Sequence, residues 1–194
     1  MTNQKKYVAY VSTYTMGDNH GITIYDVDVE NGMFKERCEI EVDNSSYVIA
    51  SSDGKTLYSI ADEGVVSFRI LPNGSLARLN SAPIRGMRGC HLCTDEEDKY
   101  VFVSGYHDGK TTVLSLNPDG SVGKIVDGVF DRGYGSVAER NFRPHVTCTR
   151  RMPDNRFVLS VDNGIDQVKI YRFNDKEQRL VQVDAIRCEL ESAP

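Results

Sequence analysis

The sequence repeats one pattern of strands and turns, and this repeat constrains the fold more than any other feature. Copies begin at Tyr47, His91 and His145, which are 44 and 54 residues apart. Each copy has a short apolar strand, a polar turn with an aspartate, a hydrophobic strand, a glycine-containing turn and a strand of alternating polarity. A more variable fourth segment follows each copy. The segment from Tyr7 fits the same pattern without its first strand.

The repeating unit predicts an all-β fold. Val, Ile, Tyr, Thr and Phe fill the predicted strands, whereas Gly, Asn and Asp fill the turns. Four-stranded units at this spacing are typical of β-propeller blades. A β-sandwich would not explain why one four-strand pattern recurs. We therefore predict a single partial β-propeller domain over residues 1–194, with about four blades of four-stranded antiparallel sheet, at approximately 7–44, 46–86, 90–130 and 144–190.

The charge and apolar patterns argue against several classes of partner. The net charge is −5 and no basic block is present, which argues against a nucleic-acid partner. No apolar run approaches the length of a membrane span, so no membrane partner is predicted. The N-terminal stretch lacks the apolar core of a signal peptide, and we therefore expect a cytoplasmic location.

The five cysteines raise the question of disulfides or a metal. An odd count without an export signal predicts free thiols. Cys90 and Cys93 form a C-x-x-C, and His145 and Cys148 form an H-x-x-C, so a zinc site is conceivable. On a strand, however, positions 90 and 93 point to opposite faces. Buried structural cysteines are the favoured interpretation, and neither a metal nor another cofactor is predicted.

The repeat also predicts which polar residues lie together. In an antiparallel pair, the start of the first strand lies beside the end of the second. His145 should therefore lie near Asp162, and His91 near Tyr106, at the same end of two neighbouring blades. In a propeller the innermost strands line a central channel, so these residues are expected at its mouth.

Several motifs resemble those of a known family. They include "VAYVSTYT" near the start, "AERNFRPHV" at 138–146 and "VDNGIDQVKIYRF" at 161–173. In this order and spacing they resemble the lactonase family of seven-bladed β-propellers, which includes the propeller-type 6-phosphogluconolactonases. The resemblance implies hydrolysis of a sugar lactone, most simply 6-phosphogluconolactone to 6-phosphogluconate in the pentose phosphate pathway. No metal would be required, because a general base would activate the attacking water.

The resemblance and the predicted geometry together suggest roles for seven residues. His145 is the candidate general base or proton shuttle, and Asp162 is expected to fix its tautomer. A phosphorylated substrate needs cations, and the insertion before the last copy supplies two arginines. The predicted substrate contacts are Arg140 and Arg143 for phosphate, Glu139 for an arginine or a sugar hydroxyl, and His91 and Tyr106 for sugar hydroxyls.

The chain departs from the family pattern in ways that leave other functions open. Gly105 and Thr147 stand where the family usually has Asn and His, and only about four of seven blades are present. An unclosed propeller exposes two blade faces, so we expect self-association or a partner chain to cover them. Two alternatives to hydrolysis therefore remain: a muconate-type lactonising cycloisomerase, or a non-catalytic partial propeller that acts as an interaction module.

Overall fold

The computed structural model describes residues 7–135 and 142–189, and these residues form fifteen strands in four sheets. Each sheet is one propeller blade. Blade 1 contains β1 (Tyr7–Ser12), β2 (Gly21–Asp28) and β3 (Met33–Glu41). Blade 2 contains β4 (Val48–Ala50), β5 (Thr56–Ala61), β6 (Gly64–Ile70) and β7 (Leu76–Pro83). Blade 3 contains β8 (His91–Thr94), β9 (Tyr100–Gly105), β10 (Lys110–Leu116) and β11 (Val122–Phe130). Blade 4 contains β12 (Val146–Arg151), β13 (Phe157–Asp162), β14 (Gln167–Asn174) and β15 (Arg179–Arg187).

Within each blade the strands are antiparallel and lie side by side in chain order. Blades 2, 3 and 4 have four strands and blade 1 has three, as the repeat predicts. The all-β propeller prediction is therefore confirmed. Throughout the described ranges, no helix is long and apolar enough to cross a membrane.

Aspartates in the turns between the first and second strands satisfy local backbone donors. Asp95 accepts hydrogen bonds from the backbone N–H groups of Lys99 and Tyr100, both at 2.8 Å. Asp53 and Asp154 each accept a bond from the N–H group two residues later. The recurring aspartate is thus explained by turn formation, because its side chain replaces a missing backbone acceptor.

The hydrophobic core lies between successive blades rather than within any one of them. Ile22 of blade 1 packs in one cluster with Phe68 of blade 2. Leu92 and Leu114 of blade 3 pack with residues of blade 2. Blades 3 and 4 enclose a third cluster that is rich in aromatic rings. Its buried members are Cys93, Tyr100, Phe102, Val113, Val158, Tyr171, Phe173 and Leu180.

The outer face of blade 4 repeats the side chains that blade 3 buries against blade 4. Phe102 and Val113 are register partners in blade 3 and are fully buried. The repeat places Leu159 and Ile170 at the equivalent positions of blade 4, where they are also register partners. They line a shallow apolar depression of about 450 Å³ together with Phe157. Blade 4 therefore presents a blade-packing face that no described residue of this chain covers fully.

The inner strands β4, β8 and β12 all begin at one end of the blades, which we call the upper face. The turns after β5, β9 and β13 lie at the same end, because each of these strands runs antiparallel to its inner neighbour. The connection from β7 to β8 also lies at this face, and β11 ends there, so that the described residues just before β12 are at the same end. Most of the predicted site residues belong to these segments.

Candidate active site

His145 and Asp162 lie together at the upper face of blade 4. The backbone N–H of His145 donates to Asp162 Oδ1 at 2.7 Å, and Val146 is the register partner of Asp162. Both residues are buried, with exposed fractions of 5% and 1%. The predicted proximity of these two residues is therefore confirmed.

The imidazole of His145 is oriented by Tyr106 rather than by Asp162. Nδ1 lies 2.7 Å from the backbone carbonyl oxygen of Tyr106, and the two rings stack with centroids 4.3 Å apart. A carbonyl oxygen only accepts hydrogen bonds, so Nδ1 carries the proton and Nε2 keeps the lone pair in the neutral ring. The prediction that Asp162 fixes the tautomer is wrong, because that carboxylate binds backbone N–H groups.

Gly164 allows the backbone before His145 to approach the β13–β14 turn closely. A Cβ at position 164 would lie 2.1 Å from the carbonyl oxygen of Arg143 and 2.7 Å from the backbone nitrogen of His145. The N–H of Gly164 also donates to Asp162 Oδ1 at 2.9 Å. The turn therefore requires a residue without a side chain at this position.

Asp162 sits in an environment that disfavours its charge. Burial, together with the nearby carboxyl group of Asp131, raises the pKa of Asp162 to about 6, although the backbone N–H groups of His145 and Gly164 oppose the shift. Desolvation penalises a carboxylate, and a second carboxylate adds repulsion. Asp162 Oδ1 holds the chain just before β12 in place by accepting the backbone N–H of His145.

His91 lies at the start of β8 in blade 3 and is engaged by protein atoms on both ring nitrogens. Its Nδ1 accepts from the backbone N–H of Thr149 at 3.4 Å, and Nε2 lies 3.7 Å from Cys148 Sγ. The ring packs against Tyr47 at 4.7 Å. Burial, together with the positive charge of Arg150, lowers the pKa of His91 to about 4. These contacts disfavour the predicted contact between His91 and a sugar hydroxyl, and Tyr106 contacts His145 rather than His91.

The upper face also carries an arginine, Arg88, that was not among the predicted site residues. Arg143 is exposed two residues before His145, whereas the predicted contacts Glu139 and Arg140 lie outside the described residues. Arg88 Nη1 donates to Asp62 Oδ1 at 2.8 Å, and its guanidinium carbon lies 5.0 Å from the centre of the Tyr14 ring. The "RGMRG" segment before β8 would have been the only local signal for this group.

The cysteines show no reactive arrangement. All five are free thiols, as predicted. Burial raises the pKa of Cys90 to about 11 and that of Cys93 to about 12, so both remain protonated at neutral pH. Within 7–135 and 142–189, no three His, Cys, Asp or Glu side chains are grouped so that they could hold a metal ion.

A larger cleft lies far from these residues. It has a volume of about 660 Å³, opens between blades 2 and 3 at the end opposite the upper face, and is lined by Lys55, Arg69, Asp98 and Asp119. By volume alone, this cleft would be the expected binding site. We favour the upper face, because the oriented imidazole lies there.

Comparison with known proteins agrees with this architecture. The sequence profile of the lactonase family, described as a 7-bladed β-propeller, matches residues 8–194. The chain is 33% identical over 176 residues to the 6-phosphogluconolactonase of Bacillus subtilis strain 168. The aligned segment covers 88% of this chain and 50% of that protein.

Two solved structures superimpose closely on the four blades. A candidate 6-phosphogluconolactonase of Bacteroides fragilis gives a TM-score of 0.87 at 29% identity and covers 96% of this chain and 56% of that one. The periplasmic gluconolactonase of Pseudomonas aeruginosa gives 0.84 at 25% identity and covers 91% and 53%. The chain thus spans about half the length of these relatives. On the profile match and the shared blades, the chain belongs to the lactonase family of seven-bladed β-propellers.

Proposed function

We propose that this protein hydrolyses a sugar lactone, with 6-phosphogluconolactone as substrate and His145 as general base. The observation that carries the proposal is the orientation of the imidazole, since the bond from Nδ1 to the Tyr106 carbonyl leaves the lone pair on Nε2. A general base needs an unprotonated nitrogen that is held in a defined direction. The relatives named as 6-phosphogluconolactonase and gluconolactonase support the same chemistry.

The reaction that we propose begins with water. His145 Nε2 takes a proton from the water as its oxygen bonds to the lactone carbonyl carbon, and the carbonyl oxygen becomes an oxyanion. The oxyanion then re-forms the carbonyl as the bond to the ring oxygen breaks. The imidazolium returns its proton to that ring oxygen, which becomes the hydroxyl of the open acid. No redox step or additional reactant is involved.

Two of the substrate contacts in this proposal, Arg143 and Tyr106, lie at the upper face. Arg143, which is exposed beside His145, would bind the phosphate together with Arg140. Tyr106 is half-buried beside the imidazole and would contact the sugar ring, and Glu139 would accept from a hydroxyl. A phosphate clamp of this kind distinguishes the sugar substrate from a muconate.

The direct test is production of 6-phosphogluconate from the lactone in a coupled assay. We expect His145→Ala to lose at least about 100-fold in kcat/KM, which is the lower range for removal of a general base. His20→Ala is the matched control, since His20 is exposed in the β1–β2 turn of blade 1 and its imidazole lies 3.5 Å from Glu39. Equal rates for His145→Ala and the unmodified protein would overturn the assignment of the base.

The phosphate contacts need a separate measurement. Arg143→Ala should weaken binding of 6-phosphogluconate in a titration, while binding of gluconate should change little. If both ligands weaken equally, Arg143 acts on the site as a whole rather than on phosphate. If neither 6-phosphogluconate nor gluconate binds but a muconate does, the result supports a muconate-type cycloisomerase instead.

A second candidate function rests on the coverage of the relatives and on the outer face of blade 4. We propose that this face binds the packing face of a further β-blade, as blade 3 binds blade 4. The face carries Phe157, Leu159 and Ile170 at positions equivalent to the buried Tyr100, Phe102 and Val113. In that case the chain would act as an interaction module, with or without activity of its own.

A further inference from the structure

Asp131 lies at the point where the chain leaves blade 3 and reaches across to blade 4. It follows the last residue of β11, and its N–H donates to the carbonyl oxygen of Gly109 at 2.8 Å. Its side chain is buried, and Oδ1 accepts from the hydroxyl of Tyr171 at 2.9 Å. The ammonium group of Lys169 lies 3.1 Å from the same oxygen, and both side chains of this ion pair are almost fully buried.

The carboxyl group of Asp131 also interacts with that of Asp162. A side-chain hydrogen bond with Asp131 and its negative charge both contribute to the raised pKa of Asp162. Oδ2 of each is buried without a hydrogen-bond donor among the described residues, whereas Oδ1 of each is satisfied. Buried oxygens of this kind rarely remain without a donor. Two carboxylate oxygens can bond each other only if one of them carries a proton.

The charges around the two carboxyl groups also indicate that they share one proton. Lys169 and Tyr171 reach the pair from β14, and the backbone N–H groups of His145 and Gly164 reach it from β12 and the turn after β13. Two ionised carboxylates with one ammonium group would leave a net negative charge buried between the blades, which is costly. One shared proton makes the cluster neutral.

We infer that Asp131 is a positioning residue, because its carboxyl group shares one proton with Asp162 and thereby fixes the carboxylate that holds the backbone of His145. The shared proton is a property of the folded chain and does not depend on the proposed function. Its effect on catalysis, through the placement of His145, does rest on that function. The inference adds a residue from blade 3 to a site that otherwise belongs to blade 4.

The direction of the pH dependence follows from the raised pKa. Burial and the neighbouring carboxyl group raise the pKa of Asp162 to about 6, above its ordinary value of 3.8. A group whose pKa is raised on folding stabilises the folded state most below the unfolded pKa, and this contribution is lost as the pH rises through the folded value. The pair should therefore hold its proton at pH 5 and release it by pH 8, which leaves two facing anions.

The test compares the intact protein with Asp131→Asn in urea unfolding at pH 5 and pH 8. The asparagine amide can donate permanently to Asp162 Oδ2 while its oxygen accepts from Tyr171, so the variant needs no shared proton. We expect the folding equilibrium constant of the intact protein to fall by about tenfold from pH 5 to pH 8 relative to the variant. Parallel pH profiles for the two proteins would overturn the shared proton.

Two further measurements keep the test decisive. Asp162→Asn can donate in the opposite direction and should also flatten the profile, so it serves if Asp131→Asn folds poorly. The infrared carbonyl band of a protonated carboxyl group should appear at pH 5 in the intact protein and be absent from both variants, and its presence in both would overturn the assignment.

If lactone hydrolysis is missing while these results hold, the proposed function fails and the shared proton stands. If activity is present, kcat should fall above pH 6 in the intact protein but not in Asp131→Asn. A pH-independent loss in Asp131→Ala that Asp131→Asn restores would support positioning.

Discussion

The Nδ1 atom of His145 donates to the backbone carbonyl oxygen of Tyr106, an acceptor from the neighbouring blade, at 2.7 Å. The histidine just before β12 is therefore oriented by the turn after β9. His91, the first residue of β8 in blade 3, has the opposite arrangement, since its Nδ1 accepts from the N–H of Thr149. The two histidines are thus held in different tautomers.

The first prediction concerns these tautomers. At pH 7.5, nitrogen chemical shifts should show the proton of His145 on Nδ1 and that of His91 on Nε2. Substitution of each histidine in turn assigns the signals. A proton on Nε2 of neutral His145 would contradict the hydrogen bond to Tyr106 and remove the basis for a general base at Nε2.

The stacking between Tyr106 and His145 should also matter for orientation. Tyr106→Phe keeps the ring and should preserve the His145 signals. Tyr106→Ala removes a ring that stacks on the imidazole at 4.3 Å, and we expect broader or shifted His145 resonances and an activity reduced by about tenfold. If the alanine and phenylalanine variants behave alike, the ring has no orienting role.

Gly164 should not tolerate a side chain. Gly164→Ala places a Cβ 2.1 Å from a backbone oxygen, and we expect a loss of about 3 kcal/mol in the free energy of unfolding, since the Arg143–His145 backbone must move. Gly54→Ala is the control, because that glycine has a φ of +68° and open space around it. Its cost should be only about 1 kcal/mol. Similar losses at the two positions would show that the close approach does not exist.

His91 should make the folded state sensitive to acid. Burial lowers the pKa of His91 to about 4, so its contribution is fully present above the unfolded value near 6.5 and is lost as the pH falls toward 4. His91→Phe keeps the ring against Tyr47 but cannot be protonated. Between pH 7 and pH 4 it should lose about 2 kcal/mol less stability than the intact protein. His107→Ala, at an exposed histidine, should follow the intact protein, and identical profiles for all three would contradict the prediction.

The outer face of blade 4 should bind a further blade. The probe is the half of the Bacillus subtilis relative that this chain does not cover, and co-purification with the intact chain is the expected result. Leu159→Glu should abolish the complex by placing a charge in the interface, whereas Val29→Glu, at a residue that is already 61% exposed in a turn, should not. Sedimentation of the chain alone as a dimer that Leu159→Glu dissociates would instead identify a second copy as the occupant.

Some of the candidate site could be predicted from local pattern. His145 and Asp162 belong to adjacent strands of one hairpin, so antiparallel pairing alone brings them together. The same pairing placed His91 near Tyr106, but Tyr106 lies beyond the end of β9 and turns toward blade 4. Antiparallel pairing within a hairpin does not determine where the side chains of its turn lie.

The strand repeat, the turn aspartates and the pairing within each blade were determined by the sequence alone, because period-two polarity and turn residues act between chain neighbours. Contacts between blades were decided only by the tertiary structure. Asp131 meets Asp162 across 31 positions of chain, and the Tyr106 carbonyl meets His145 across 39. Such contacts depend on how one twisted sheet packs on the next and where its connections cross, and no local pattern carries that geometry.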